Sequence, residues 1–425
     1  MSRSSHSRAL TAVALSVTAA VALSACSQGS ATRSDGGGTA GSDQVTIRYM
    51  NFTANGGHEA DLDSIVTAFE AENPDVNVEV QVLPYADYFT ALQTAFAGGT
   101  VADVVDLNFE NFVTYAANGA LAELRDVDPT LYAPSLLDAF TYDGTLMGVP
   151  QQFSNVVLIY NKSLFDDAGL DYPTSDWTWE DARAAAEVLT DRDAGIWGDY
   201  QPVSFHEFYK ALAQSGGQFF NEDATEATFA GPEGVEAATW LVEKSGTTMP
   251  TEADGAGTPD FDTNLFREGR LAMWHTGIWN FTPLAETEGL DWDIAVEPGN
   301  TTKASALFAD GVAVASSSDN REAAQRFVQF LTSSDAAVET RLASSWSLPP
   351  VADTARLAAY LDQTPPDNRQ AVIDSLDAVV LPPVIESQQE MQDIVSEELG
   401  NAAAGRKSVE QALQDAQDRV NALLG

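Results

Sequence analysis

Asp143–Leu164 reads DGTLMGVPQQFSNVVLIYNKSL, and this stretch decides the fold that we expect. Val156 to Tyr160 is an unbroken apolar and β-branched run, which predicts a central strand buried on both faces of a parallel or mixed sheet. The residues just before it, Pro150 to Asn155, are rich in amides, include one large aromatic ring, and are too many for a tight turn. We therefore predict a crossover segment whose Gln152 and Phe153 face a cleft. An ordinary hairpin arm with surface amides is the alternative interpretation.

The N-terminus has the pattern of an export signal. Arg3 and Arg8 precede an apolar run from Ala9 to Leu23, which is too short to remain as a membrane span. The run ends in Leu-Ser-Ala-Cys at residues 23–26, which resembles the lipobox of bacterial lipoproteins, in which the cysteine becomes the lipidated N-terminus. Cys26 is the only cysteine of the chain, so no disulfide competes for it. The sequence predicts a lipoprotein signal peptide at residues 1–25 and lipidation of Cys26; plain secretion with an incidental cysteine is the alternative.

The residues after the cysteine predict a flexible tether. They contain three successive glycines and almost nothing apolar, so we expect residues 26–43 to link the lipid to the folded body. No later segment is apolar for long enough to span a membrane. The body is therefore expected to be exported and held by its lipid at the outer face of the cytoplasmic membrane.

Composition limits the partners and the number of domains. The chain carries 63 acidic and 21 basic residues, for a formal net charge of −42, and the acidic residues are spread along it. This balance disfavours nucleic acid and anionic lipid surfaces as partners. The length beyond the signal is too great for one compact domain and suits two.

The first part of the folded body reads as α/β units. A strand from Val45 to Met50 precedes a helix from Glu59 to Glu72, and Asp103 to Leu107 is a further short strand. In open α/β sheets, ligands lie at the carboxyl ends of the strands. The loops after these two strands therefore point to one edge of the sheet. They supply the candidate ligand-binding residues Phe52, Asn55, Asn108 and Glu110, although Glu110 could instead be a surface charge.

Further candidates lie later in the chain. Ser204 and His206 lie at the start of a predicted helix, whose N-terminal N–H groups suit a polar ligand group. Leu271–Phe281 reads LAMWHTGIWNF and holds too many large rings for all to enter the core, so we expect at least one of Trp274 and Trp279 to face a cleft. We interpret His275 as a packing residue. The remaining candidates are Asp310 and Gly311, at the kink of a second crossover segment over residues 306–315, and Trp346, isolated in a loop.

A resemblance to a known family rests on seven stretches that occur in one order. They are GVPQQFSNVVLIYNKSLFDDAGL, WTWEDARAAAEVLT, LAMWHTGIWNF, DWDIAVEPG, ADGVAVASSSDNREAAQRFVQFLTS, SLPPV and GRKSVEQALQDAQDRVNALL. Together they resemble the extracellular solute-binding proteins of bacterial ATP-binding-cassette importers, in particular the carbohydrate-binding group that includes maltodextrin-binding proteins. The resemblance runs from Val45 to the C-terminus.

The resemblance implies an α/β, two-lobed periplasmic-binding-protein fold of the class II type, with mixed sheets flanked by helices and a hinged cleft. The family's stacking tryptophan corresponds to Trp279, and its polar crossover position to Gln152 and Phe153. An aromatic residue of the family's third-strand loop is absent here, because Leu107 stands in its place. We expect one lobe to comprise residues 44–152 and about 304–350, and the other to comprise residues 153–303 and about 351–425.

The function implied is the lipid-anchored substrate-binding component of an ATP-binding-cassette sugar importer. The protein would capture a mono- or oligosaccharide by lobe closure, deliver it to the permease subunits, and act as a monomer. Tryptophan faces suit the C–H faces of a pyranose, and carboxylates and amides suit its hydroxyls.

Other functions remain as alternatives. A solute-binding protein for a peptide or a polyamine is one, and a secreted glycosidase is another, because some pair of carboxylates can always be found among so many. The sequence contains no G-x-S-x-G elbow, P-loop or dinucleotide fingerprint. The few histidines and single cysteine predict neither a metal site nor another cofactor. We therefore expect a binding protein and not an enzyme.

Overall fold

The computed structural model describes residues 44–55, 57–258, 260–344 and 347–424. The predicted signal peptide, Cys26, the tether and the candidate Trp346 lie outside the described residues. Within these ranges, no helix combines the length and the apolar character that crossing a bilayer requires.

The described residues form a mixed α/β architecture. The strands are β1 (Val45–Asn51), β2 (Val76–Val82), β3 (Val104–Asn108), β4 (Thr141–Tyr142), β5 (Thr145–Leu146), β6 (Val149–Asn161), β7 (Met273–Gly277), β8 (Trp292–Ala295), β9 (Ser305–Val314) and β10 (Val379–Val380). The helices are α1 (Glu59–Glu72), α2 (Tyr85–Gly98), α3 (Phe109–Ala117), α4 (Pro134–Asp138), α5 (Lys162–Ala168), α6 (Trp179–Leu189), α7 (Phe205–Gln214), α8 (Pro232–Val242), α9 (Glu252–Gly255), α10 (Phe261–Arg267), α11 (Phe281–Ala285), α12 (Arg321–Ser333), α13 (Asp335–Ala343), α14 (Ala358–Leu361), α15 (Gln370–Asp374), α16 (Gln388–Ala403) and α17 (Val409–Leu424). Short 3₁₀ turns lie at Pro129–Leu131, Ile278–Asn280, Thr354–Leu357 and Ser375–Ala378.

The main sheet has the order β2-β1-β3-β9-β6-β7. β1 runs parallel to β2 and β3, whereas β9 runs antiparallel to both β3 and β6. β8 pairs with β6, and β10 pairs with β9. The sheet is therefore parallel among β1, β2 and β3 and between β9 and β10, and it is antiparallel where β6, β7, β8 and β9 join it.

β6 links two regions of the sheet. Residues 149–155 pair with β9, and residues 156–161 pair with both β7 and β8. The predicted strand from Val156 to Tyr160 is confirmed and is buried along its whole length. The separate crossover predicted at Pro150–Asn155 is wrong in one respect, because these residues continue the same strand as an antiparallel partner of β9. The register shifts between Pro150 and Gln152, so Gln151 bulges out of the ladder.

Helices pack against two parts of the sheet, and each part with its helices is called a lobe below. The first lobe, β1–β3 with α1–α4, α12 and α13, has a core in which Phe69 of α1 meets Phe327 of α12 at 5.1 Å between ring centroids. The second lobe, β7 and β8 with α5–α11, α16 and α17, has a core in which Trp179 stacks on Trp240 at 4.7 Å. Both cores form because the helices bury one apolar stripe each.

The chain passes between the lobes again after α13. The Arg356 guanidinium donates to the carbonyl of Ser333 in the first lobe at 3.1 Å. The backbone N–H of Asn368 donates to the Asp293 carboxylate in the second lobe at 2.8 Å. The segment from Arg356 to Asn368 therefore bridges the two lobes beside β6 and β9.

The strongly periodic helices were predicted most closely. α1 spans Glu59–Glu72 as expected, with Leu62, Ile65, Val66 and Phe69 buried. α6 begins at a capping box between Thr178 and Asp181, which satisfies the free N–H groups of its first turn. Within Leu271–Phe281, β7 extends through Trp274 and His275, and Trp279 lies on the turn that follows it.

A cluster of buried charges holds the second lobe together. Lys210 of α7 contacts the carboxylates of Glu207 at 2.6 Å and Glu297 at 2.7 Å, and Lys244 contacts Asp199 at 2.8 Å. His275 bridges the two halves of the cluster, since Nδ1 lies 2.9 Å from Glu297 and Nε2 lies 3.2 Å from Asp199. These six residues, all nearly inaccessible to solvent, are called the ionic cluster below.

The ionic cluster is neutral when His275 is protonated, because three carboxylates then face three cations. Burial lowers the pKa of His275, but the carboxylates of Glu297 and Asp199 outweigh burial and raise the pKa above its ordinary value. The predicted packing role of His275 agrees with this position, and His275 lines neither of the two cavities described below.

Removing one cation from the ionic cluster is expected to destabilise the fold strongly. Lys210→Met leaves Glu207 and Glu297 buried beside an apolar side chain, which should lower the free energy of unfolding by about 3–5 kcal/mol. The control is Arg326→Met, which breaks an exposed pair with Asp75 at 2.8 Å and should cost less than about 1 kcal/mol. Urea unfolding of the three proteins measures both values, and equal losses in the two variants would contradict the assignment.

Candidate functional site

Two neighbouring cavities lie where β6 and β9 pass between the lobes. The larger has a volume of about 680 Å³ and the smaller about 420 Å³. They share Phe308 and Asp310 of β9. Residues of both lobes contribute to each cavity, so a ligand bound there would contact both.

The larger cavity combines aromatic rings with polar and basic groups. Its lining includes Gln152, Phe153, Ser154, Ile278, Trp279, Phe281, Thr282, Ala285, Glu286, Phe308, Asp310, Arg341, Leu342, Ser347, Leu348, Tyr360, Gln363, Thr364, Pro365 and Arg369. Four predicted site residues are in this set: Gln152, Phe153, Trp279 and Asp310.

The smaller cavity is aromatic and acidic. Its lining includes Phe52, Tyr85, Asn108, Phe109, Glu110, His206, Leu307, Phe308, Ala309, Asp310 and Pro382. Phe52, Asn108, Glu110 and His206 were predicted site residues from distant parts of the sequence, and the fold brings them together here. Burial lowers the pKa of His206, so its ring is neutral at pH 7 and can both donate and accept a hydrogen bond.

Trp279 lies on the 3₁₀ turn that follows β7. Its side chain is 53% exposed, and its ring meets that of Phe308 edge-on with centroids 5.6 Å apart. Gly277 provides the space for the indole, because a Cβ at residue 277 would lie 1.9 Å from the ring. An exposed indole held in this way offers a flat apolar face to a ligand.

Four other predicted site residues do not line either cavity. Trp274 is 1% exposed and packs on Phe266 at 5.7 Å, because alternation along β7 turns its ring into the core. Gly311 lies beneath Phe140, whose ring a Cβ would meet at 2.4 Å, so it serves packing. Trp274 and Gly311 therefore line neither cavity.

The remaining two of the four have other positions. The Ser204 hydroxyl accepts a hydrogen bond from the backbone N–H of Glu207 at 3.3 Å and caps α7. Asn55 is exposed on the loop after β1 and does not line the cavities. Ser204 therefore lies at the start of a helix as predicted, but neither side chain lines the cavities.

A buried carboxylate, Asp106, holds the loop that carries Phe52. Its Oδ2 accepts hydrogen bonds from the Asn51 side chain at 2.6 Å and from the backbone N–H groups of Phe52 and Thr53 at 3.1 and 3.3 Å. Its Oδ1 accepts from the Tyr49 hydroxyl. Burial raises the pKa of Asp106 to about 6, although these hydrogen bonds lower it. The loop is thus fixed by a residue that sequence patterns did not single out.

The bulge at Gln151 ties this carboxylate to the larger cavity. The Gln151 Nε2 donates to Thr53 Oγ1 at 3.1 Å and to Asp106 at 3.3 Å. Its Oε1 accepts from the Arg341 guanidinium at 3.0 Å. Arg341 is almost fully buried and lines the larger cavity. Gln151 therefore connects the larger cavity to the loop after β1, whose Phe52 lines the smaller cavity.

Asp310 lies at the junction of the two cavities. Its Oδ2 accepts a hydrogen bond from Gln152 Nε2 at 2.8 Å. Burial raises the pKa of Asp310 to about 7; the hydrogen bond from Gln152 lowers it, and the charges of Asp106 and Glu110 add to the rise. Its carboxyl group is therefore available either to accept or, when protonated, to donate a hydrogen bond.

Two buried polar atoms of the larger cavity have no hydrogen-bond partner within the described part of the chain. They are Gln152 Oε1 and Ser154 Oγ. Buried polar groups in folded proteins are nearly always paired. These two atoms therefore favour a ligand that supplies hydroxyl groups beside aromatic faces.

The segment from Tyr360 to Arg369 was missed by sequence reasoning. The Arg369 guanidinium lies over the rings of Tyr360 at 4.6 Å and Phe281 at 5.5 Å, and its Nε donates to the Gln363 carbonyl at 2.9 Å. These contacts join residues far apart in sequence, so no local pattern could predict them. Within the described ranges, no group of three His, Cys, Asp or Glu residues is arranged to hold a metal ion.

Comparison with known proteins agrees with this architecture. An ABC substrate-binding protein of Listeria monocytogenes, solved in complex with cycloalternan, is similar to 89% of this chain and 99% of its own, with 44% identity and a TM-score of 0.78. The cyclic α-maltosyl-1,6-maltose binding protein of Arthrobacter globiformis matches with 24% identity over 90% of this chain and 99% of its own, with a TM-score of 0.78. The maltodextrin-binding protein of Bacillus subtilis is 24% identical over 61% of each chain.

These neighbours are solute-binding proteins, so the predicted two-lobed α/β fold class is confirmed. A family model for bacterial extracellular solute-binding proteins matches residues 55–338, which is more than half of the chain. The family predicted from the sequence is thereby confirmed: the chain belongs to the bacterial extracellular solute-binding proteins.

Proposed function

We propose that this protein is the substrate-binding component of an ATP-binding-cassette importer and that its ligand is an oligosaccharide. The observation that carries the proposal is the pair of unpaired polar atoms, Gln152 Oε1 and Ser154 Oγ, in the cavity that Trp279 also lines with its exposed ring. A pyranose has apolar C–H faces and a rim of hydroxyl groups. The larger cavity offers a partner for each of these features.

The size and extent of the two cavities support an oligosaccharide over a single sugar. Their volumes of about 680 and 420 Å³ lie within the range of about 300–1,000 Å³ that suits ligands of drug-like size. The Listeria protein, which is 44% identical to this chain, was solved with cycloalternan, a cyclic oligosaccharide. We therefore propose gluco-oligosaccharides, cyclic ones included, as the ligand class.

Lobe closure would supply the binding energy. One hydrogen bond contributes about 1 kcal/mol after desolvation, whereas micromolar binding needs about −8 kcal/mol. Several hydrogen bonds and at least one stacked ring are required, and they come from residues of both lobes. A ligand that touches both lobes favours the closed form through these additional contacts.

We propose the lobe division expected from the sequence, with residues 44–152 and about 304–350 opposite residues 153–303 and about 351–425. The bridge between Arg356 and Asn368 suggests that the last passage lies a few residues beyond that boundary. The importer's permease would recognise the closed, loaded form.

We further propose that the protein is exported, lipidated at Cys26 and held as a monomer at the outer face of the cytoplasmic membrane. It would release its ligand unchanged and would not act as an enzyme. The relatives support this proposal because they are described as binding proteins.

A cationic ligand such as a polyamine is the second candidate. The smaller cavity contains Glu110 and Asp310, and no lysine or arginine is among the described residues that line it. Clustered carboxylates of this kind would attract an amine. The screen below therefore includes amines and peptides.

The proposed function predicts a ligand-dependent rise in thermal stability. The full-length chain in mild detergent is screened against mono- and oligosaccharides, amino acids, short peptides and polyamines. A ligand at a hundred times its Kd should stabilise the fold by about 2.7 kcal/mol. We expect an oligosaccharide to raise the unfolding midpoint and to be recovered unhydrolysed.

Trp279→Ala should then weaken binding by about 2 kcal/mol, or roughly 30-fold in Kd. Val188→Ala, which truncates an exposed apolar residue on α6, should leave affinity unchanged. A shift with polyamines or peptides alone would refute the sugar ligand but leave the transport role intact.

Gly277→Ala is expected to weaken binding without destabilising the fold. The new Cβ would lie 1.9 Å from the Trp279 ring and displace it, and the exposed indole has room to move. Titration calorimetry should show an affinity close to that of Trp279→Ala, while the unfolding midpoint stays near that of the wild type. Gly400→Ala is the control, since its Cβ would meet its nearest neighbour at 3.8 Å. Unchanged affinity in Gly277→Ala would contradict the role assigned to the indole position.

Asp310→Asn should stabilise the empty protein at high pH and weaken ligand binding. The folded-state pKa of about 7 exceeds the unfolded value of about 3.9. The folded state therefore retains the Asp310 proton to higher pH, and the stability of the wild type falls as pH rises from about 4 to about 7. Asparagine does not ionise, so the stability of the variant does not fall for this reason over the same pH range. Its unfolding midpoint should match that of the wild type near pH 4 and exceed it at pH 8.

The same variant loses a hydrogen-bonding carboxylate, so its affinity for the sugar should fall by roughly 10- to 100-fold. Asp171→Asn, at an exposed position outside both cavities, should change neither property. Equal stability differences between wild type and Asp310→Asn at pH 4 and pH 8 would contradict the assignment.

A further inference from the structure

Gln151 is a buried amide on the strand that passes between the lobes. Its side chain is fully inaccessible to solvent, and it is the extra residue of the bulge between Pro150 and Gln152 in β6. A bulge re-aims the side chain of the inserted residue, and bulges are common next to functional sites. Gln152 lines the larger cavity and donates to Asp310, whereas Gln151 makes its hydrogen bonds to residues of the first lobe.

Both ends of the Gln151 amide are hydrogen-bonded. Its Nε2 donates to Thr53 Oγ1 at 3.1 Å and to Asp106 Oδ1 at 3.3 Å. Its Oε1 accepts from the Arg341 guanidinium at 3.0 Å and from the Tyr49 hydroxyl at 3.1 Å. The amide oxygen thus faces a cation and the amide nitrogen faces a carboxylate, which is the favourable orientation, because guanidinium groups only donate and ionised carboxylates only accept.

The two groups at the ends of the amide are buried charges. Burial lowers the pKa of Arg341 to about 10 and raises the pKa of Asp106 to about 6, so both groups are largely charged at pH 7. A buried charge is costly unless hydrogen bonds compensate it. Gln151 supplies one hydrogen-bond partner to each charge, so replacing the amide would affect both of them.

These two charges belong to different cavities. Arg341 lines the larger cavity. Asp106 accepts from the backbone N–H groups of Phe52 and Thr53 and so fixes the loop after β1, and Phe52 of that loop lines the smaller cavity. The amide of Gln151 is therefore a shared partner of a group that lines one cavity and of a group that positions the wall of the other.

We infer that Gln151 is a positioning residue that makes ligand contacts in the two cavities depend on each other. The inference rests on the proposed function, since it concerns how the same site holds its oligosaccharide. With the amide in place, Arg341 and the loop that carries Phe52 keep one relative position. Without it, the loop can move relative to the larger cavity. A ligand that spans both cavities then loses contacts, whereas a ligand confined to one cavity loses few.

The experiment compares ligands of different length in a variant that keeps the shape of residue 151. Gln151→Glu can still accept from Arg341, but it cannot donate to Thr53 and it turns a second carboxylate toward Asp106. The full-length chain in mild detergent is titrated calorimetrically with the tetrasaccharides maltotetraose and cycloalternan and with maltose, which fits within one cavity. The affinity for the tetrasaccharides should fall at least about tenfold, and that for maltose less than about threefold.

A second substitution tests whether the hydrogen bonding of residue 151 is the cause. Gln151→Glu combined with Asp106→Asn exchanges the amide and the carboxylate, so a donor again faces an acceptor beside Arg341. The tetrasaccharide affinity should return to within about threefold of the wild type. The control is Gln414→Glu, which removes a donation to the exposed Asp418 carboxylate at 2.9 Å on α17 and should leave every affinity unchanged.

Unfolding midpoints are measured for all variants, and the titrations are made at a temperature at which each variant is folded. If Gln151→Glu does not fold, Gln151→Asn takes its place. It keeps the amide on a side chain that is one methylene shorter and cannot reach Arg341 and Asp106 together. The same length-dependent loss of affinity is expected.

The outcomes separate this inference from the proposed function. A lower unfolding midpoint with unchanged affinities would show a purely structural role for Gln151 and overturn the inference. An equal loss for maltose and the tetrasaccharides, or a folded double variant that does not recover affinity, would also overturn it while leaving a sugar-binding protein. Binding of no saccharide by the wild type would refute the proposed function, and the inference with it.

Discussion

The antiparallel pairing of β6 with β9 is the constraint on which the site depends. It places Ser154 opposite Phe308 and Gln152 opposite Asp310. These four residues, which two strands hold in one register, are called the floor patch. β6 continues into pairing with β7 and β8, and β9 continues into pairing with β3. Because both strands belong to the sheet of each lobe, a change in the angle between the lobes would bend them without shifting their register. The floor patch can therefore stay intact while the walls of the cleft move.

The two lobes and the floor patch differ in whether their buried polar groups have partners. In the second lobe, the ionic cluster pairs each buried charge with an opposite charge and so links α7 and β7 to the segments that contain Asp199, Lys244 and Glu297. In the first lobe, Asp106 collects hydrogen bonds from the loop after β1 and so fixes Phe52 at the smaller cavity. The floor patch differs, because Gln152 Oε1 and Ser154 Oγ are buried without a partner among the described residues. Rigid lobes and an unsatisfied floor are the arrangement expected where a ligand completes the hydrogen bonding.

Sequence patterns predicted the elements that depend on local periodicity and missed the contacts that depend on the fold. The apolar spacing in α1 and the buried run in β6 are local signals, and both were predicted closely. Trp274 and Trp279 could not be told apart, because the extent of β7 decides which ring enters the core. Phe308 reads as one more apolar residue of a buried strand, and only its pairing with Ser154 shows that it faces the cleft. The Arg369 guanidinium lies over the ring of Phe281. These residues are far apart in the sequence, so no local pattern in either segment predicts the contact.

The position of Asp310 joins stability to function. A carboxyl group at the junction of two cavities, with Asp106 and Glu110 nearby, is destabilising when it ionises, and its pKa is raised to about 7 for that reason, mainly through burial. A neutral side chain there would make the empty protein more stable at neutral pH, so the stability of the fold does not explain the carboxyl group. Sugar hydroxyls that donate to Asp310 would stabilise its ionised form and lower its pKa. Ligand binding would thereby relieve part of the destabilisation, and the relief is available only when a ligand reaches the floor patch between the lobes.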